Sequence, residues 1–339
     1  MKRRNETPPE VEQLDKQHAT REDVQGAASA TGRRGSLGDQ RRVADLLEMH
    51  ATLGIHRTQQ LDDDYDAWLS LKYLSGFHNH CATEAVTGVL PIGQNSPQHV
   101  KHCLYAEQLS GSAFTCPRAT NRKSWCYRLA PSVMQGAYVP HAPPVGCGES
   151  LLSADFSVVD PSPRRWSPFP LASDESIVDF VDGLHTMCGA GSPSLKDGVA
   201  IHMYAFNAPM VDRAFCNADG ELLVVPQQGV LHVLTELGKL RVAPGEILVV
   251  PRNLRFSVSP ASPGSDPVRK MDCRGYVCEV YASRGFVLPE LGPIGANGLA
   301  EPRDFLTPVA CFEDRRCPNG FVITTKYVMN ASDCLLTGS

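Results

Sequence analysis

Between residues 198 and 285 the chain switches between apolar and polar positions with the two-residue period of half-buried strands. Positions 201–206 alternate, 221–225 form an apolar run, and 229–235 alternate again; 239–242, 246–250, 255–258 and 275–281 complete the series. Turn-forming clusters separate them: Ala218-Asp219-Gly220, Gln227-Gln228-Gly229, Leu237-Gly238 and Ala243-Pro244-Gly245. Seven short strands so closely punctuated leave no room for crossover helices. The pattern predicts an all-β sandwich or jelly roll with minor α content, not a parallel α/β sheet.

Elsewhere the pattern is weaker. Residues 1–65 are polar, nearly free of aromatics and carry both charge signs, which predicts a disordered extension. Within it, Val43, Leu46 and Leu47 share one side of a short helix over 39–52, with Asp39 as its N-cap. The opening Lys2-Arg3-Arg4 suits an organellar presequence, but Glu6, Glu10, Glu12 and Asp15 do not. From 66 to 140, aromatics, glycines and prolines mix into short strands and packed loops, with an extended stretch at 124–129. Residues 141–172 read as an exposed connection, and 177–184 as a short helix or strand. The expected organisation is an extension over 1–65, a folded region over 66–327 with its barrel at about 198–285, and a divergent tail over 328–339.

Composition narrows the function class. At 339 residues and 42% hydrophobic content the chain can bury a core without disulfides. Its twelve cysteines are scattered, several in apolar segments such as Val277-Cys278-Glu279-Val280, and read as reduced thiols. The closest pairs, Cys311 with Cys317 and Cys273 with Cys278, lack zinc-knuckle spacing. A formal net charge of -5 supplies no surface for neutralising phosphates, so nucleic acid is not an expected partner. No run reaches the ~20 apolar residues of a membrane span, and no secretory signal opens the chain. A cytoplasmic location is expected.

One motif bears on chemistry. Gly245-x5-Pro251 has the spacing of the second half of the cupin signature, G-x5-P-x-G-x2-H-x3-N. Phe256 stands where metal-holding cupins place histidine, and Asn253 and Pro260 take the neighbouring Gly and Asn positions. Counting G-x5-H-x-H from Gly220 reaches Pro226 and Gln228, neither an imidazole. His232 lies just beyond with no partner at suitable spacing. These residues describe a cupin-like barrel with an empty pocket.

The other candidates reduce to structural roles. His78, His80, Cys81 and Glu84, with His99, His102 and Cys103, are dense enough to suggest a metal site. Two histidines one residue apart aim the same way only on a strand, and Gly76 and Asn79 mark a loop, so these read as surface or packing residues. His185 and His202, in apolar segments, read as hydrogen-bonded core histidines. Arg118, Arg122, Lys123 and Arg128, interleaved with Trp125 and Tyr127, read as ion pairs with neighbouring strands or subunits. No catalytic, cofactor-binding or metal-ligating residue is assigned in this chain.

Several low-frequency strings occur in a telling order: YLSGF (73–77), GQNSP (93–97), YAEQLSGSAFT (105–115), RATNRKSW (118–125), GLHTMCGAG (183–191), VVPQQ (224–228) and LGPIGANGLAEPRDF (291–305). Over about residues 68–327 the chain resembles the homogentisate 1,2-dioxygenase family, in its N-terminal, non-catalytic part. The resemblance implies a bicupin whose first barrel binds no metal, acting on homogentisate and O2 to give maleylacetoacetate in tyrosine and phenylalanine catabolism. It implies Fe(II), held in the second barrel by two histidines and one glutamate, a further histidine as acid–base group, and trimers paired into hexamers. Those ligands belong downstream of GFVITTKY (320–327), whereas here VMNASDCLLTGS follows and no histidine lies beyond His232. The extension before Trp68 and His78 in place of a glycine are further departures. A chain truncated before its catalytic residues is therefore expected. The alternatives are a non-catalytic cupin subunit or assembly module, and a different metalloenzyme using His78, His80, His99 or His102.

Overall fold

The computed structural model of the chain describes residues 68–76, 82–90, 104–117, 120–121, 123–128, 131–142, 162, 165, 167, 171, 177–261, 272–283, 285–287, 301–313, 317, 320–328 and 330–336. Its strands are β1 (Tyr73–Ser75), β2 (Tyr105–Ser110), β3 (Lys123–Arg128), β4 (Tyr138–Pro140), β5 (Leu184–Ser192), β6 (Asp197–Phe206), β7 (Arg213–Asn217), β8 (Glu221–Gln228), β9 (Leu231–Thr235), β10 (Gly238–Val242), β11 (Leu248–Val250), β12 (Arg255–Pro260), β13 (Cys273–Val280), β14 (Leu306–Pro308), β15 (Phe321–Tyr327) and β16 (Asn330–Leu336). No helix among the described residues is long and apolar enough to cross a membrane.

Two sheets form the barrel. One has seven strands in the order β10-β9-β12-β7-β15-β16-β4, the other five in the order β11-β8-β13-β6-β5. From β6 to β13 the chain crosses between the sheets at nearly every step, β9 and β10 forming a hairpin within one, which is jelly-roll winding. Small outlying pairs, β1 with β14 and β2 with β3, complete the described structure. The core takes side chains from both sheets: Tyr204, Phe206, Leu222, Val224 and Val277 from one, Phe215, Leu231, Val233, Phe256 and Val258 from the other. The alternation read from the sequence is the reason, since successive residues of a strand face opposite sides and every second one enters this core.

The all-β jelly roll is as expected, but two of its strands carry no clean alternation. In β5 (LHTMCGAGS) glycines and polar residues interrupt the pattern, and β7 (RAFCN) is short and bounded by polar residues. Both become strands through pairing, β5 along β6 and β7 between β12 and β15. The barrel consequently begins at Leu184, not at 198, and the preceding segment ends in a turn closed by the Gly183 amide on the Asp179 carbonyl at 2.9 Å.

Of the segment expected as a divergent tail over 328–339, residues 330–336 form a strand of the seven-stranded sheet. As β16 it pairs with β15 on one side and β4 on the other, burying Cys334 to 1% exposure. Residues 1–65, with the helix expected at 39–52, and most of 141–172 lie outside the described residues.

Candidate functional site

The signature positions come first. Gly245 turns the chain with φ +96, a conformation that favours glycine, and β11 runs from Leu248 to Val250, ending just before Pro251 as the spacing implied. Pro226 is buried within β8, whereas Gln228 faces solvent. Phe256 is 1% exposed and packs edge-on against Phe215, ring centroids 5.7 Å apart, and against Phe180 at 6.1 Å. The empty pocket of the sequence reading is thus corrected. Aromatic side chains fill that interior, because a barrel without a ligand must pack to the density of any other core.

A polar cluster lies elsewhere in the same interior. On β13 the residues Cys273, Gly275, Val277 and Glu279 face inward in strict alternation, which delivers a carboxylate to the core. On β6 the same rule delivers His202 beside Tyr204 and Phe206, and on β15 it delivers Lys326. The Lys326 ammonium donates to both Glu279 oxygens, at 2.8 and 2.9 Å, and to Asp219 at 2.8 Å. Asn217 donates to Glu279 Oε1 at 2.6 Å, and His202 Nε2 lies 3.0 Å from Oε2. Thr186 holds the other ring nitrogen of His202 at 3.0 Å. Burial by itself pushes the Glu279 carboxyl up, but the His202 hydrogen bond and the Lys326 charge outweigh it and hold it at about 2.

This cluster is not the signature position. In the sheet register Glu279 faces Leu222, whereas Pro226 faces Gly275, four residues further along β8, or about 13 Å at strand rise. Nor do the residues present fit iron. Proline and phenylalanine offer it no donor at the signature, Gln228 faces solvent, and the His202–Glu279 pair already faces an ammonium. A cation placed there would meet Lys326 at close range. A small void of about 10 Å³ with an apolar surface lies beside Phe180, Phe215, His202 and Glu279.

A second network was missed entirely by sequence reasoning. His141, just after β4, sits 3.0 Å from Asp182 and 2.8 Å from Asp333 of β16. Arg213 of β7 donates to Asp179 at 2.6 Å and to Asp182 at 3.0 Å. Hydrogen bonds to Asp182 and Asp333 raise the His141 pKa to about 9. The signal available was faint: an isolated histidine in a Pro-rich stretch, with partners 41 and 192 residues away.

Other candidates fall out as follows. His78, His80, Cys81, His99, His102, Cys103, Arg118 and Arg122 lie outside the described residues. Glu84 accepts from the amides of Gly88 and Leu90, which ties it into its own loop. Burial lowers the pKa of half-buried His185 on β5. Arg128 makes the expected ion pairs, 2.8 Å from Glu107 and 2.5 Å from Glu236. The nine described cysteines are free thiols. His232 is buried and stacks on Trp68 with ring centroids 4.1 Å apart, beside a cavity of about 60 Å³ that also touches Ser257, Ser259 and Glu313. Burial, with Arg241 and Lys239 nearby, lowers its pKa to about 4.

Comparison with known proteins gives these residues a context. Residues 72–335 match the family model described as homogentisate 1,2-dioxygenase N-terminal. The chain is 49% identical over 263 residues to homogentisate 1,2-dioxygenase of Homo sapiens, a match covering 76% of this chain and 55% of that protein. It is 51% identical over 247 residues to the Drosophila melanogaster protein of the same name, covering 72% and 53%. The chain thus spans about half the length of these relatives. Among solved structures it is similar to a cupin superfamily protein of Desulfitobacterium hafniense, at 13% identity and a TM-score of 0.25, covering 34% of this chain and 93% of that one.

Proposed function

Since this chain belongs to the homogentisate 1,2-dioxygenase family, matching its N-terminal region, we propose that it serves the oxidative cleavage of the homogentisate ring by O2 to maleylacetoacetate. In this reading the described barrel is the metal-free part of the machinery. Ferrous iron, the family's expected cofactor, belongs to the second barrel that the resemblance implies and finds no ligands in this chain. Homogentisate and O2 as substrates, a cytoplasmic location, and assembly into trimers and hexamers belong to the same proposal.

The observation that carries the division of labour is the saturation of Glu279. Both of its oxygens are taken by Lys326, and further by Asn217 and His202. Oxygen activation at non-haem iron requires imidazole and carboxylate donors that leave positions open, and this interior offers a carboxylate whose two oxygens already accept from an ammonium. The test is anaerobic loading of the 339-residue chain with ferrous iron, followed by homogentisate and measurement of oxygen uptake and ring-opened product. No uptake is expected from this chain by itself. Ring-opened product from it alone would overturn the reading.

A second reading, a non-catalytic subunit or assembly module, draws support from one surface feature. Val139 of β4 and Leu335 of β16 are both exposed on paired strands, and the register puts them on one face of the sheet. An apolar group of this kind suits contact with another chain. Size-exclusion chromatography of the chain with and without a full-length relative tests it, and failure to form mixed oligomers would remove its support.

A further inference from the structure

Lys326 is held the way an oxygen-rich site holds a metal ion. Its ammonium lies 2.8 Å from Glu279 Oε1, 2.9 Å from Oε2 and 2.8 Å from Asp219 Oδ2. The three side chains are 1%, 0% and 2% exposed. A bidentate glutamate and a monodentate aspartate about one positive centre are the donors that hard divalent cations such as Ca2+ and Mn2+ take. The carboxylates are also fixed from behind. His202 and Asn217 hold Glu279, while the Val328 amide donates to Asp219 Oδ1 at 2.5 Å. Partners of this kind orient ligands before a cation arrives.

We propose that Asp219 and Glu279 form a cation site whose resident occupant is the Lys326 ammonium, and that removing this ammonium opens the site to a hard divalent cation. Two carboxylates facing one ammonium are balanced only in part, whereas a divalent ion matches them. Two residues cannot complete the coordination of such an ion, so waters must. The volume vacated by a shortened lysine side chain gives them room beside the two carboxylates. In the native chain the lysine makes any metal at this place unnecessary, joining β15 of one sheet to β13 of the other from within the polypeptide. The inference stands apart from the ring-cleavage reading, since the site lies at the other end of β8 from the cupin signature and is tested without substrate.

The test uses the full chain, Mn2+ as the probe, and the variants Lys326→Ala and Lys326→Ala/Asp219→Asn. Lys326→Ala is expected to unfold at a lower temperature than the native chain. Millimolar Mn2+ should raise its midpoint by about 5 °C, with one more immobilised Mn2+ per chain by electron paramagnetic resonance than the native protein shows. The native chain and the double variant should show neither effect. Absence of a Mn2+ response in Lys326→Ala, an equal response in the native chain, or its persistence in the double variant would each overturn the proposal. So would failure of Lys326→Ala to refold from denaturant when Mn2+ is supplied.

Discussion

At Glu279 opposing effects meet on one carboxyl group, burial raising its pKa and the His202 and Lys326 contacts lowering it to about 2 from an ordinary 4.5. A folded-state pKa below the unfolded one adds stability that is full above about 4.5 and is lost as pH falls toward 2. Lys326→Met reverses this balance. It leaves two buried carboxylates without their counter-charge, and the expected loss is about 3 kcal/mol or more in urea unfolding at neutral pH. Because the stranded carboxyls then prefer to be protonated, the variant should gain stability on mild acidification, opposite in sign to the native chain. His141 works in the other direction. Its pKa is raised from 6.5 to about 9, so its contribution is full below about 6.5 and is lost as pH rises through 9. Thermal unfolding between pH 6.5 and 9 should show a falling midpoint in the native chain and a flatter profile in His141→Gln.

Among the elements, β13 and β16 illustrate opposite demands on sequence. β13 needs a residue without a side chain at Gly275, where a β-bulge shifts the register opposite Pro226. A Cβ there would collide with the Tyr204 ring and the Val225 carbonyl oxygen. Gly275→Ala should therefore cost about 1–3 kcal/mol by chemical denaturation, in the range of an overpacked core. β16 makes few demands of its own and is held by its neighbours, through the ladders to β15 and β4 and through Asp333 on Thr324 and His141. Ending the chain after residue 329 would bare the edge of β15 and leave β4 unpaired. The truncated form should show a lower unfolding midpoint and concentration-dependent association by size-exclusion chromatography.

For the molecule as a whole, the barrel was legible because its information is local. Alternation within 201–206 or 275–281 and turn residues such as Ala243-Pro244-Gly245 depend on neighbours a few positions away, and they implied the jelly roll. The alternation of β13 even announced an inward carboxylate at Glu279, a signal passed over because a single acidic residue in a strand names no partner. β5, β7 and β16 were not legible, since each owes its strand to a ladder with a distant segment. The family strings carried what periodicity could not, the relation to homogentisate dioxygenases, and the match over 72–335 bears it out.

The sequence by itself determined which residues face inward and where the chain turns, because a strand's two-residue period and a turn's backbone geometry are set within a few bonds. Only the tertiary structure decided which buried charges meet. Lys326 finds Asp219 across 107 residues and Glu279 across 47, and no local pattern encodes that meeting, because a buried charge is satisfied by whatever side chain the winding of the barrel brings within about 3 Å of it.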